Sequence, residues 1–321
     1  MARGDYVAKR TLAALATVYA AVTLNFFLFR VLPGNAVTSI GRVPNSTPQL
    51  RRALTREFGL DRSKWDQYWA YLNQLLHGNL GVSFANQQSV ASNLWSALLN
   101  TLPVVTVATL LALALGVTVG VIAAWRRGSF ADHALTMTAV ATYAFPTQWI
   151  ALLLLIAFSN YLPTAGSQDV FNLVEPSTID RMLDYAQHMI LPTTTLTLTL
   201  FGGYVLVVRA AMLETLGEDY VLTARAKGMS QRRIVVRHAL RSAMLPVTTL
   251  VTLSLGSIVA GAILIEVVFS WPGMGGALYD AVRHRDYPML QGGFLVLTIS
   301  VVFFNFLADL LYLKLDPRVV E

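Results

Sequence analysis

The chain has 321 residues, 55% of them hydrophobic and only 13% charged, with a mean hydropathy of +0.54. A soluble domain carries about 25% charged residues, so this composition excludes a water-exposed globule and reads as an integral membrane protein. The net charge of +6 sits in loops beside apolar stretches, which membrane orientation explains without nucleic acid, and the absence of cysteine excludes disulfides, thiolate catalysis and iron–sulfur clusters.

Stretches long enough to cross roughly 30 Å of hydrocarbon recur six times. They are Thr11–Phe29, Leu102–Trp125, Ala134–Ser159, Ile190–Val208, Pro246–Ile265 and Gly292–Leu313. The first follows Arg3, Lys9 and Arg10, and its apolar run is longer than the ~7–15 residues of a cleaved signal, so it is expected to remain as a span. Loop charge sets the orientation. Arg126 and Arg127 follow the second span, and the loop after the third carries Asp169, Glu175, Asp180 and Asp184 against Arg181. The loop after the fourth is strongly basic, and the next balances Asp280 and Asp286 with Arg283 and Arg285. Basic loops thus alternate with acidic or neutral ones, as six spans with both termini inside require. The basic first loop, residues 30–100, exceeds the ~60 residues within which charge controls translocation.

That first loop reads as a folded helical cap. A break at Pro44–Pro48 precedes a short amphipathic helix over Gln49–Phe58. Trp65, Tyr68, Trp69, Tyr71, Leu72, Leu75 and Leu76 follow at helical spacing, as a small packed cap in preference to a ligand-binding face. Such aromatics also suit a membrane interface. In the third span, Pro146 and Gln148 predict a kink. The fourth span carries Thr193, Thr194, Thr195, Thr197 and Thr199 before Gly202, Gly203 and Tyr204. Its threonines can bond back to their own helix, and Thr195, Thr199, Tyr204 and Gln148 are the candidates for lining a solute path. Asn25 and Asn305 are expected to join helices.

Between the fourth and fifth spans, in the loop of residues 209–245, lies the most informative stretch, from Glu218 to Pro246. Arg225, Lys227, Arg232, Arg233, Arg237 and Arg241 sit in it, with Arg209 just upstream. Glu218 and Asp219 favour the positive end of a short helix, and Gly228 is placed to end it. Tyr220, Val221, Ala224 and Met229 offer small or apolar surface for helix-in-groove docking. The alternative is a helix lying on the inner leaflet, where cations gain about 1 kcal/mol each beside anionic lipid. After the fifth span, Phe269–Gly276 concentrates Pro272 with Gly273, Gly275 and Gly276 and should form a turn or re-entrant piece. There Glu266 would tie the turn in place and Trp271 would anchor it at the interface. Asp309, near the inner end of the sixth span, is expected to pair with an Arg of the basic loop. No phosphate-binding loop occurs, and His77, His133, His188, His238 and His284 lie in separate loops without metal-site spacing. No metal, catalytic set or bound cofactor is expected.

Taken together, Glu218-Asp219-Tyr220-Val221, Thr223-Ala224-Arg225-Ala226-Lys227-Gly228-Met229, Arg237-His238-Ala239-Leu240-Arg241 and Leu245-Pro246 resemble the coupling segment of ABC-importer permeases. The version is that of the B-type subunit of the dipeptide/oligopeptide/nickel permease family. Leu32-Pro33-Gly34, Gly59-Leu60-Asp61-Arg62, Leu76-His77-Gly78-Asn79-Leu80-Gly81, Phe269 to Gly275, Arg285-Asp286-Tyr287-Pro288 and Leu315-Asp316-Pro317-Arg318 extend the likeness along the chain. Leu222 stands where that subfamily usually has Arg, Asn35-Ala36 where Asp-Pro is common, and Ser63-Lys64 replaces a frequent Pro.

The resemblance implies one all-α transmembrane domain over residues 1–321, multi-pass in the cytoplasmic membrane of a prokaryote. It implies import of short peptides by alternating access, with nickel chelates, glutathione or oligosaccharides as alternative cargo. It also implies a second homologous permease, an extracytoplasmic solute-binding protein and two ATP-binding subunits that hold the ATP and magnesium. Coupling to those subunits would fall to Glu218, Asp219, Tyr220, Ala224, Arg225, Ala226, Lys227 and Gly228, and an outer gate to Glu266, Trp271, Pro272 and Gly273. An ion-gradient-driven carrier is the rival, and it predicts internal inverted repeats that this sequence lacks.

Overall fold

The computed structural model describes residues 3–30, 63–169 and 177–315; the expected helix over Gln49–Phe58 falls outside them. Among the described residues, every regular element is a helix. Four helices among the described residues are long and apolar enough to cross a membrane, and five if one bent pair counts as a single span. The chain divides into two compact units, Met1–Asn100 with Gly273–Glu321, and Thr101–Pro272.

In the first unit, α1 (Arg3–Arg30) and α10 (Tyr287–Leu315) run antiparallel. Near one end the Asn25 side-chain amide donates to the Gln291 carbonyl at 2.9 Å; near the other, Arg10 meets Asp309 at 3.2 Å. The partner of Asp309 is therefore the N-terminal helix and not the basic loop, because the antiparallel pairing brings Arg10 to its level. Asn25 joins helices as expected, whereas Asn305 is exposed.

Helix α2 (Lys64–Leu76) starts at Ser63, whose hydroxyl accepts the Asp66 N–H. Tyr68 and Tyr71 bury against Val22, Phe26 and Leu295, which makes the expected packed cap; Trp65 and Trp69 face outward. Gly78, at φ +70°, ends the helix: its N–H reaches Leu75 O and the Asn79 N–H reaches Gln74 O, so two orphan carbonyls are satisfied. Helix α9 (Met274–His284) buries Met274, Leu278 and Ala281. Between α9 and α10, buried Asp286 caps the latter, accepting from the Met289 and Ala85 N–H groups and the Ser83 hydroxyl.

The second unit holds most of α3 (Val90–Trp125) and all of α4 (Phe130–Ala144), α5 (Thr147–Phe158) and α6 (Thr178–Leu216). The short α7 (Asp219–Ala226) and α8 (Leu240–Val268) follow, joined by the turn Gln231–Arg233 and a π-helical segment, Ile234–Ala239. The kink expected at Pro146 is a 102° bend between α4 and α5. Position 146 has no N–H to continue the ladder, and the residue before a proline is pushed out of the helical region. Phe145 accordingly lies at φ −73°, ψ 133°.

Gly116 and Gly120, one turn apart on α3, let α6 approach closely. A Cβ on Gly120 would stand 2.7 Å from the Val208 Cβ, and one on Gly116 would strike Tyr204. Two apolar cores sit along α6. One joins Val105, Ala151, Leu191, Ala262 and Phe269; the other joins Ala124, Val208, Met212, Val235, Ala243 and Val247.

Candidate coupling surface and outer turn

Helix α7 hangs between the end of α6 and the π segment. Glu218, extended at φ −73°, ψ 148°, is its N-cap residue, and Asp219 adds a second negative charge at the positive end of the helix. The end is a two-bond cap. Gly228, at φ +74°, donates to Arg225 O at 2.9 Å, and Met229 donates to Ala224 O at 3.2 Å. Val221 and Ala224 turn inward onto Ile234, with Met229 and Leu216 packed around them.

That arrangement changes the expected docking face. Val221 and Ala224 are consumed in holding α7 to its own chain, since an eight-residue helix does not stand alone. What faces outward is Glu218, Asp219, Tyr220, Leu222, Arg225, Ala226, Lys227 and Gly228. The face is acidic at its start, basic at its end, and carries an aromatic and a leucine between. The Tyr220 hydroxyl lies 3.4 Å from the Ser242 hydroxyl, tying α7 to the first turns of α8. Beside it opens a cleft of about 290 Å³ lined by Glu214, Glu218, Tyr220, Ser242 and Pro246.

At the root of α6 is a charge pair that the sequence reading missed. Arg209 Nε donates to Asp132 Oδ1 at 2.7 Å, and its Nη2 donates to Oδ2 at 2.9 Å. The Gly128 N–H and the Thr136 hydroxyl also donate to this buried carboxylate. The Arg209 bonds, reinforced by the Gly128 N–H, hold the Asp132 carboxyl well below the usual range against the opposing effect of burial. Signals were present: Ser129-x-x-Asp132 is a helix-start pattern, and Arg209 is a lone cation just past an apolar span on the same side.

The end of α8 is built by the same two-bond cap with serine in place of glycine. Ser270, at φ +47°, donates to Val267 O, and Trp271 donates to Glu266 O at 2.8 Å. This turn swings Trp271 inward, where it is 1% exposed with its ring 5.3 Å from that of Tyr185. The interfacial anchor expected there is thus a buried core residue. Glu266 is also buried, and Thr101 donates its hydroxyl to Glu266 Oε1 at 2.6 Å. Pro272 follows, Gly273 is the N-cap of α9, and Gly275 and Gly276 enter the first turn of that helix. A glycine in a helix costs only about 1 kcal/mol, which burial of Met274 and Leu278 outweighs.

The four path candidates do not share a surface. Thr195 is fully buried and bonds back to Leu191 O at 2.9 Å, while Thr199 bonds back to Thr195 O. Tyr204 is buried against α3, and Gln148 is exposed in the first turn of α5. Among the described residues, no group of three His, Asp or Glu converges to hold a metal.

Comparison with known proteins supplies the family. Residues 116–321 match the binding-protein-dependent transport system inner membrane component, and residues 4–109 match the N-terminal component of the same kind of protein. The chain is 37% identical to a di/tripeptide transport system permease protein of Pseudomonas aeruginosa over 330 residues, 98% of both chains. It is 36% identical to the dipeptide transport system permease protein of Escherichia coli K12 over 333 residues, again 98% of both. It is also 33% identical to a glutathione transport system permease protein of E. coli over 318 residues, with the same coverage.

Proposed function

We infer how this chain works from one premise: it belongs to the binding-protein-dependent transport system inner membrane component family, and it is a permease subunit of an ABC peptide importer. It is not itself an enzyme, and ATP hydrolysis belongs to separate subunits. The chain crosses the membrane six times with both termini in the cytoplasm, α2 on the outer side and α7 on the inner side. It pairs with a second permease, because six helices leave little room for a peptide-sized passage. Short peptides are the cargo, in keeping with relatives named for dipeptides, di/tripeptides and glutathione. An extracytoplasmic binding protein delivers them, and two ATP-binding subunits drive the cycle.

The carrying observation is the mounting of α7. Its inward residues Val221 and Ala224 fix it to Ile234, and its outward face is exposed among the described residues. A short helix held this way transmits force. When a motor subunit grips the outward face, the pull passes through Tyr220 and the π segment into α8, and through Leu216 into α6. Solute then gains access from the outer side as the helices tilt, with the Glu266–Thr101 bond and the buried Trp271 holding the outer turn through the movement.

Ala226 is exposed and helical, so a tryptophan there meets a docked partner without disturbing the fold. In a reconstituted importer, Ala226→Trp should abolish peptide uptake and solute-stimulated ATP hydrolysis while the chain still inserts and assembles. Uptake at the wild-type rate would remove α7 from the coupling path.

A further inference from the structure

Arg127 and Arg225 line one cleft of about 260 Å³, which shares no lining residue with the cleft of Glu214 and Glu218. Both guanidinium groups are exposed, and neither is ion-paired among the described residues. Gln231 adds an amide to the rim, and among the described residues no carboxylate lines the cleft. The floor is apolar, made by Leu213 and Leu216 of α6 with buried Ile234 and Val235 below them. At its mouth lies Trp125, the last residue of α3, 46% exposed.

A rim of two unpaired cations over a hydrocarbon floor selects a ligand with an anionic head and an apolar body. The place agrees with the chemistry. Trp125 closes a membrane-length helix and Arg126 and Arg127 follow at once, which is the level where interfacial tryptophans and inner-leaflet cations collect. Basic pockets between helices on the cytoplasmic side suit anionic headgroups. A cytosolic acidic side chain of a motor subunit would satisfy the arginines but leave the leucine floor and Trp125 without use. With about 30 Å³ of liquid volume per water, the cleft has room for a phosphodiester headgroup, while acyl chains would run up along α3 and α6.

We propose that this cleft is a binding site for an anionic phospholipid of the inner leaflet, with Arg127 and Arg225 on the phosphodiester and Leu213 and Leu216 under the glycerol and first acyl carbons. Arg225 lies on α7 itself, so the lipid bridges the coupling helix to the end of α3. Its occupancy then sets how firmly α7 is mounted. The site rests on the inner-side placement of α7 argued above.

The test uses the whole importer in nanodiscs of phosphatidylethanolamine with or without phosphatidylglycerol. Native mass spectrometry should show retained phosphatidylglycerol falling about fivefold in Arg127→Gln, the equivalent of the ~1 kcal/mol a cation gains beside anionic lipid. Arg127→Lys should keep most of it. Because the chain has no cysteine, Gln231→Cys places a single reporter thiol at the rim. Its alkylation by a charged maleimide should slow with phosphatidylglycerol and stay unchanged with inorganic phosphate. Equal retention by Arg127→Gln, or equal slowing by inorganic phosphate, overturns the lipid site. So does a cross-linker on the introduced thiol that captures a motor subunit in place of lipid. Labelling of that thiol in whole cells, from outside, instead overturns the orientation on which the coupling reading depends, and the two failures are therefore told apart.

Discussion

Asp132 and Arg209 show how one bidentate pair fixes the base of a long helix. The carboxylate is buried and takes four donors, so removing its charge leaves Arg209, about a quarter exposed, without its fork. Asp132→Asn should lower stability by about 1–3 kcal/mol, read as a lower Tm of the solubilised chain. The pH dependence has a definite sign. Because the folded carboxyl titrates below its free value of about 3.9, its contribution is complete above that pH and is lost as pH falls through the lowered folded value. The gap in Tm between wild type and Asp132→Asn should therefore be constant from neutral pH down to about 5 and narrow below about 4. Gly228 answers a different question. A Cβ there meets nothing within 4 Å, so only the left-handed backbone penalises substitution. Gly228→Val should cost about 1–2 kcal/mol and impair uptake, whereas Gly228→Asn, which tolerates this conformation, should stay near wild type. Equal loss in both would mean that something other than backbone strain acts at this position.

Among the elements, the close crossing of α3 and α6 is the most sensitive to size. Gly120→Ala drives a methyl to 2.7 Å from the Val208 Cβ and should cost about 1–3 kcal/mol of overpacking. Gly203→Ala meets the Tyr143 ring at an ordinary 3.5 Å and should leave Tm unchanged or raise it. Both glycine pairs were visible in the sequence, but the fourth-span pair drew attention and Gly116-x-x-x-Gly120 did not. The sequence shows which residues are small, and only the crossing shows which of them must be. The elements themselves were easier to read. Apolar length located α1, α3, α6 and α10, and a proline located the bend. The end of α8 was harder, because a serine at φ +47° closes it where glycine was the expected sign. That turn carried Trp271 into the interior, a reversal hidden from a reading that treats every tryptophan beside a span as an interface residue. The inward turn of Val221 and Ala224 was hidden for a related reason. An apolar face on a short helix serves its own chain as readily as a partner, and nothing local distinguishes the two.

For the molecule as a transporter, the sequence carried the family plainly, since its motifs occur in order along the chain and several of those among the described residues mark a turn or cap. The Arg285-Asp286-Tyr287-Pro288 motif is one case: Asp286 caps α10 and Arg285 supplies the left-handed residue before it. A solute path was not legible, because its four candidate residues do not share a surface in the folded chain. Glu266 is where the outer turn can be tested at this scale. Glu266→Ala removes the acceptor of the Thr101 hydroxyl and should raise ATP hydrolysis in the absence of peptide, measured on the reconstituted importer; a basal rate equal to wild type would reduce the residue to packing. The elbow between α4 and α5 has its own consequence. Pro146 offers no proton to the Thr142 carbonyl, and the elbow falls at mid-depth of the expected third span, where oil supplies none either. At that depth the oxygen needs a donor from outside its own helix, and water is the simplest one. Carbon-13 placed at the Thr142 carbonyl should give an infrared band shifted to lower frequency and responsive to heavy water, whereas an unshifted, unresponsive band would mean the oxygen is kept dry.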